Sequence, residues 1–166
     1  MLKKIILCLV VSTFVSCFQT VNAKPDFKGQ AQKIPSGIQK KIMKVLKAQQ
    51  CPISLDELRY LTLTYWGFDG RVHQGTLIVN HELAQETLEI FHELFELRFP
   101  INQMKPIHMY GNDDMRSMSD NNTSSYNCRQ ITGQNNLFSQ HAFGRAIDIN
   151  PLQNPYVKGE VVLPTK

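Results

Sequence analysis

With 166 residues the chain has room for one domain, and 18 Lys and Arg against 14 Asp and Glu leave a formal net charge of only +4. No basic run with interleaved aromatic residues occurs, so composition argues against a nucleic-acid partner.

The chain opens on a processing signal. Lys3 and Lys4 form a positive start, Ile5 to Phe18 is apolar but short for a membrane span, and Val21-Asn22-Ala23 offers the small residues that a signal peptidase reads. Residues 1–23 are therefore expected to be a signal peptide, and the protein to be exported, periplasmic or secreted. A rival reading takes Val15-Ser16-Cys17 as a lipoprotein box; a membrane association is expected only if Cys17 is acylated. Cleavage after Ala23 removes two lysines and no acid, so the net charge falls from +4 to +2. It also leaves two of the four cysteines, Cys51 and Cys128. An even pair in an exported chain reads as a possible disulfide, the alternative being two free buried thiols.

Residues 24–50 read as an N-terminal lead-in and helix. Residues 24–36 carry Pro25, Gly29 and Pro35 and are expected to be flexible. Ile38, Ile42, Val45 and Leu46 then recur at helical spacing, with lysines on the solvated face. Ser54 and Glu57 have the spacing of a capping box. Leu61, Leu63 and Tyr65 alternate with Thr62, Thr64 and Trp66, Asp69-Gly70 signals a turn, and Val72 to Val79 resumes a strand. Asn80 can cap a following helix that stops before Pro100, with Leu83, Thr87, Ile90, Phe91, Leu94 and Leu97 as its buried stripe. Lys105 to Tyr110 suggests another strand. Gly111 to Asn136 is rich in Asn, Asp and Ser without a clean period, which reads as a long functional or disordered loop. The fold class is α+β: a small antiparallel sheet, made of the hairpin and a last strand at 144–150, packed against the helix from His81 to Phe99.

That last segment, SQHAFGRAIDINP at 139–151, carries the chemistry. His141 offers a neutral ring nitrogen and Asp148 a hard oxygen, a pair that suits zinc. Gly144 and Ala146 let backbone pass close to an ion and its substrate. On a strand, Ala146, Asp148 and Asn150 share one face, and Ile147 and Ile149 point into the core. The other histidines compete poorly. His92 opens an H-E-x-x-E helix with Glu96 where a second His ligand is needed, so it reads as a surface residue. His73 and His81 are unremarkable, and His108 is a weak candidate for the edge of the site.

The string S-x-H-x-x-G-x-A-x-D resembles the signature of the D-alanyl-D-alanine carboxypeptidase family of zinc metallopeptidases, and within it the endolysin-type endopeptidases. The resemblance extends upstream through YWGFDGRVH at 65–73, YGNDDMRSM at 110–118 and DNNTSSYNCR at 120–129, and covers the chain from about Cys51 to Val157. It implies a peptidase domain over 51–166, a bound Zn2+, and a peptidoglycan peptide as substrate. It also implies an arginine that holds the substrate's terminal carboxylate. Arg116 best matches that position, Arg129 is the alternative, and Ser139 could add a hydroxyl; a guanidinium binds a carboxylate through two parallel hydrogen bonds.

The resemblance is incomplete. Family members place a third ligand, a His, and the acid that serves as general base in a later segment. Here no histidine follows His141, and Glu160 is the only acid after Asp148. The general base is therefore expected beyond Lys166, the domain is read as C-terminally truncated, and the chain as written is expected to turn over little peptide. Two functions follow: zinc-dependent hydrolysis of wall peptides, or a non-catalytic wall-binding remnant of the fold. A secreted nuclease using His141 with the Asn-rich loop is the weakest reading and asks for a more basic surface. A monomer is expected.

Overall fold

The computed structural model describes residues 24–131, 134 and 137–165. The signal-peptide and lipoprotein-box readings lie outside these residues.

The chain is α+β, with a three-stranded antiparallel sheet in the order β1 (Gly29–Gln32), β2 (Leu58–Trp66), β3 (Val72–Asn80). The β2–β3 hairpin forms in the expected place, closed by Asp69-Gly70, with Leu61 opposite Leu77 and Trp66 opposite Val72. Its edge partner differs from the expectation. The third strand is β1, from the supposedly flexible lead-in, pairing Gly29 with Leu63 and Gln32 with Tyr60. Thr64 joins this edge further, its side-chain oxygen accepting the Lys28 N–H at 2.9 Å and its own N–H donating to the Lys28 carbonyl.

Helix α1 (Ser36–Ala48) and the capping box of Ser54 and Glu57 also form as expected. Ser54 donates both its N–H and its hydroxyl to the Glu57 carboxylate, and these bonds lead the causes that hold the Glu57 carboxyl below its ordinary range. Asn80 caps the next helical segment by accepting the Glu82 N–H, and α2 (Ala84–Glu96) follows. The buried stripe of α2 is Ala84, Thr87, Phe91 and Phe95; Ile90 and Leu97 are 45% and 78% exposed. The stripe is rotated because Phe95 fills the space against Trp66 and Phe27, with ring centroids 5.6 and 5.8 Å away.

The sheet is covered on both faces. Leu61, Leu63, Leu77 and Val79 meet Ala84 and Phe91 of α2, with Ile147 and Ile149 packed alongside. On the opposite face, Leu58 and Ile78 meet Ile42 and Leu46 of α1, together with Tyr126 and Cys128. Burial on both sides explains why residues 77–80 are all buried although their side chains alternate. Cys51 and Cys128 form a disulfide with Cα atoms 5.9 Å apart, within ordinary bridging range.

The polar stretch after Tyr110 differs most from its sequence reading. Lys105 to Tyr110 is not a strand: β4 is Gln103–Met104, and Ile107–Tyr110 form a single helical turn after Pro106. Pro106 cannot donate to a ladder, so pairing stops there. Residues 111–131 hold α3 (Asp114–Ser119) and β5 (Asn122–Thr123), which runs parallel to β4, and residues 121–128 are buried throughout. Several of their polar side chains are partnered internally, although the Ser125 and Tyr126 hydroxyls are not. Asn122 accepts the Lys105 N–H and donates to the Lys105 carbonyl and the Ser117 hydroxyl, all at 2.9 Å.

The 144–150 segment is not a regular strand either. It touches β-structure at one bridge, where Ser124 and Asp148 exchange both backbone hydrogen bonds at 3.1 and 2.9 Å. Asn150 replaces further pairing with side-chain bonds, accepting the Asn102 N–H and donating to the Pro100 carbonyl. The chain closes with a two-stranded hairpin, β6 (Tyr156–Lys158) and β7 (Val161–Leu163).

Gly144 docks this segment on the end of β3. Its φ is +65°, its carbonyl accepts the Asn80 N–H at 2.9 Å, and an added Cβ would lie 2.7 Å from the Asn80 nitrogen. Both the left-handed backbone and the close backbone neighbour oppose any side chain. Gly144→Ala is expected to cost about 2–3 kcal/mol, read as a lower urea midpoint at unchanged slope. A loss under about 0.5 kcal/mol would show that the turn re-forms without this contact.

Candidate active site

His141 sits in the helical turn Gln140–Phe143, between two fixed ends. Ser139 caps the turn by accepting the His141 N–H at 3.3 Å, and Gly144 ends it in the left-handed region. The Ser139 hydroxyl thus serves the turn, while the residue also lines the pocket. The imidazole is 8% exposed. Its Nδ1 donates to the Ser125 carbonyl at 2.8 Å, which directs Nε2 towards Asp148, whose Oδ2 lies 3.2 Å away. The two residues face one another, and the ring orientation is set by the buried 121–128 segment.

Burial pulls the His141 pKa down, but the hydrogen bond and charge of Asp148, with the Ser125 carbonyl, outweigh it, and the net shift is upward; Arg129 opposes that rise. Asp148 is the more open partner, with a side chain 37% exposed.

His141 and Asp148 line a pocket of about 190 Å³ with Arg129, Asp114 and Ser139, walled on the far side by Tyr156 and Leu163 of the terminal hairpin. Arg129 Nε lies 2.9 Å from Asp114 Oδ2, an ion-pair contact whose angle falls short of a hydrogen bond. Asp114 is itself held from behind, where Asn127 donates to its Oδ1 at 2.8 Å. A half-buried, charge-paired guanidinium therefore shares a cavity with the His–Asp pair.

The two candidate arginines lie in different places, Arg129 in the His141 pocket and Arg116 outside it. Arg116 is exposed on α3 and lines a separate depression with Tyr110, Ser119 and Asp120. The helical turns of α3 send Asp114 to the pocket and Arg116 elsewhere, since residues two apart do not share a helix face. His108 is not at the edge of the site; it lies beside α1 with Lys41 and Lys44. His92 is a surface residue stacked on Phe27, ring centroids 4.9 Å apart. Glu160 is exposed and lies outside the His141 pocket. Asp114, Asn127 and the Ser125 carbonyl were not legible as site groups. They sit in the Asn- and Ser-rich stretch, where spacing carries no period.

The geometry fits two corners of a zinc site. Ligands bonded to one tetrahedral zinc at about 2.0–2.1 Å stand roughly 3.3 Å apart, close to the observed Nε2–Oδ2 separation. The Nδ1 bond to a carbonyl is the outer support that a ligating histidine needs, because it leaves Nε2 as the lone-pair nitrogen when the ring is neutral. Among the described residues, no group of three or more His, Cys, Asp or Glu converges as a metal site. The third donor expected of the family is not found there.

A family model described as D-alanyl-D-alanine carboxypeptidase matches residues 132–166. The matched stretch holds Ser139, His141 and Asp148, and the Tyr156 and Leu163 wall of the pocket. The segments at 65–73, 110–118 and 120–129, with Arg116 and Arg129, fall outside it. No curated protein and no solved structure matches the chain.

Proposed function

We propose that this pocket is a zinc-dependent peptidase site for D-alanine-type peptides of the bacterial cell wall, carried by an exported monomer that binds no nucleic acid and meets the membrane only if Cys17 is acylated. The observation that carries the proposal is the convergence of His141 Nε2, Asp148 Oδ2 and the paired Arg129 in one cavity, with both candidate ligands inside the stretch similar to the carboxypeptidase family.

His141 and Asp148 would hold the zinc. A zinc ion there supplies Lewis acidity and an activated water near neutral pH. The remaining roles belong to the chain. Arg129 presents its guanidinium to the substrate carboxylate, and Asp114 positions it through the contact at Nε, with one terminal nitrogen also donating to the Gln130 carbonyl at 3.4 Å. Tyr156 and Leu163 give the pocket an apolar part of its lining.

Arg129→Ala is expected to weaken binding of a peptide ending in D-Ala-D-Ala by about 10- to 100-fold, the loss of a charge-assisted pair. Asp114→Asn is expected to weaken it less, by a few-fold, because the guanidinium stays charged but loses its anchor. Calorimetric titration checks both, and Arg116→Ala is the control that leaves affinity unchanged.

A second reading, a wall-binding domain without turnover, is favoured by the absence of a third donor group among the described residues. Mass spectrometry of the same peptide incubated with protein and zinc separates the two. Release of D-alanine that needs zinc and His141 supports the peptidase. Binding without release, abolished in the Arg129 variant, supports the wall-binding domain. Neither binding nor release overturns both.

A further inference from the structure

Helix α1 carries Lys40, Lys41, Lys44 and Lys47 and no acidic residue. Lys41 and Lys44, three apart, lie on one face of it and line a depression of about 300 Å³. The opposite wall is His108 and Asn112, from the turn after Pro106, and Gln49 closes one end. None of the lining residues is acidic. Among the described residues, the side chains of Lys41, Lys44, Gln49, His108 and Asn112 make no intramolecular hydrogen bond or ion pair, and Val45 and Ala48 complete the lining with apolar surface.

His108 sharpens the chemistry. Burial and then the charge of Lys41 lower its pKa, which favours the neutral ring. Its Nδ1 is buried without a hydrogen-bond partner. A buried lone pair is tolerated better than a buried N–H, so the proton sits on Nε2. The ring lines the same depression as two ammonium groups and two carboxamides. No arginine lines the cavity, and the fork that selects planar carboxylates is absent. Lysines act as point charges, which suits the tetrahedral oxygens of a phosphate.

We propose that the depression between α1 and the His108 turn is a binding site for a phosphate group, separate from the His141 pocket. The phosphate can be free or borne by an anionic lipid headgroup. The site would hold the protein to a phosphate-bearing ligand and leave the His141 pocket open.

The test is a titration of the isotope-labelled full chain with inorganic phosphate, followed by NMR at the Gln49 and Asn112 side-chain amides and the His108 ring, against sodium chloride of equal ionic strength. Saturable shifts confined to these groups are expected, weakened about ten-fold in the Lys41→Gln/Lys44→Gln variant. Both lysines are exposed, so the variant keeps the fold, and unchanged His141 resonances verify this. Sedimentation with phosphatidylglycerol and with phosphatidylcholine vesicles assigns the source. Binding to the former alone, lost in the variant, identifies a headgroup; phosphate shifts without vesicle binding identify a free phosphate-bearing ligand. No saturable shift at these groups, or equal shifts in the variant, overturns the proposal.

Discussion

Replacing Cys51 and Cys128 together by alanine is expected to lower stability by about 4 kcal/mol. The bridge spans 77 residues, and closing a loop of that length removes about 4.5 kcal/mol of chain entropy from the unfolded state. The two contributed side chains are also part of the packing, since Cys128 lies in the cluster that joins α1 to Ile78 and Cys51 packs against it. The bridge matters to the site because Arg129 follows Cys128 directly, and the Arg129 carbonyl accepts the Ser139 N–H at 3.0 Å. Urea denaturation of the oxidised protein and the double variant measures the effect. The variant should also bind a D-alanine-ended peptide more weakly, through a less fixed Arg129. A change under about 1 kcal/mol would mean that α1 and the buried segment hold each other by contacts alone.

Asn122→Ala is expected to cost about 3 kcal/mol, an unusually large effect for a polar residue. The carboxamide is 1% exposed, and its loss leaves the Lys105 N–H, the Lys105 carbonyl and the Ser117 hydroxyl without their partner. Each buried group left unpaired costs about 1–3 kcal/mol, and the Ala side chain recovers little because it fills none of the vacated volume. Asn122→Asp keeps the acceptor for the Lys105 N–H but sets a buried carboxylate against the Lys105 carbonyl, so at neutral pH it should be at least as destabilised as alanine. A urea midpoint well below wild type for both variants, with Asp no higher than Ala at neutral pH, is the expected result. Equal stability of the alanine variant would show that water replaces the carboxamide, and that the buried segment is less rigid than the His141 geometry requires.

These two sites show what the sequence could and could not convey. The β2–β3 hairpin, α1, the Ser54 capping box and the Asn80 cap were legible because each follows a local rule: period two, period 3.6, or a capping residue at fixed spacing. The edge strand β1 was not, since its four residues Gly29–Gln32 are all exposed and carry no alternation; only pairing with β2 makes them a strand. The Asn- and Ser-rich stretch misled for a related reason. Its residues are polar by composition yet buried by position, and side chains such as Asn122 and Asn150 take the place of backbone ladder bonds that no periodicity announces. The same substitution explains why 144–150 reads as a strand and folds as a single bridge with an anchored asparagine.

The candidate site divides along the same line. His141 and Asp148 lie on one short stretch, and the full string S-x-H-x-x-G-x-A-x-D around them, rather than their spacing alone, singles them out. The choice between Arg116 and Arg129 depends on how α3 turns and on where the disulfide fixes residue 128, both of which are tertiary facts. Asp114 lines the pocket from α3, and Asn127, thirteen residues on in the buried segment, holds it from behind; only the fold brings the two together.

The central claim is that His141 and Asp148 act together as metal ligands. Calorimetric titration of the purified chain with zinc, paired with X-ray absorption of the bound metal, tests it most directly. The account predicts one zinc per chain, with an imidazole nitrogen and a carboxylate oxygen among its neighbours, and loss of that binding in both His141→Ala and Asp148→Ala. Absence of stoichiometric zinc, or binding that survives both substitutions, would contradict it.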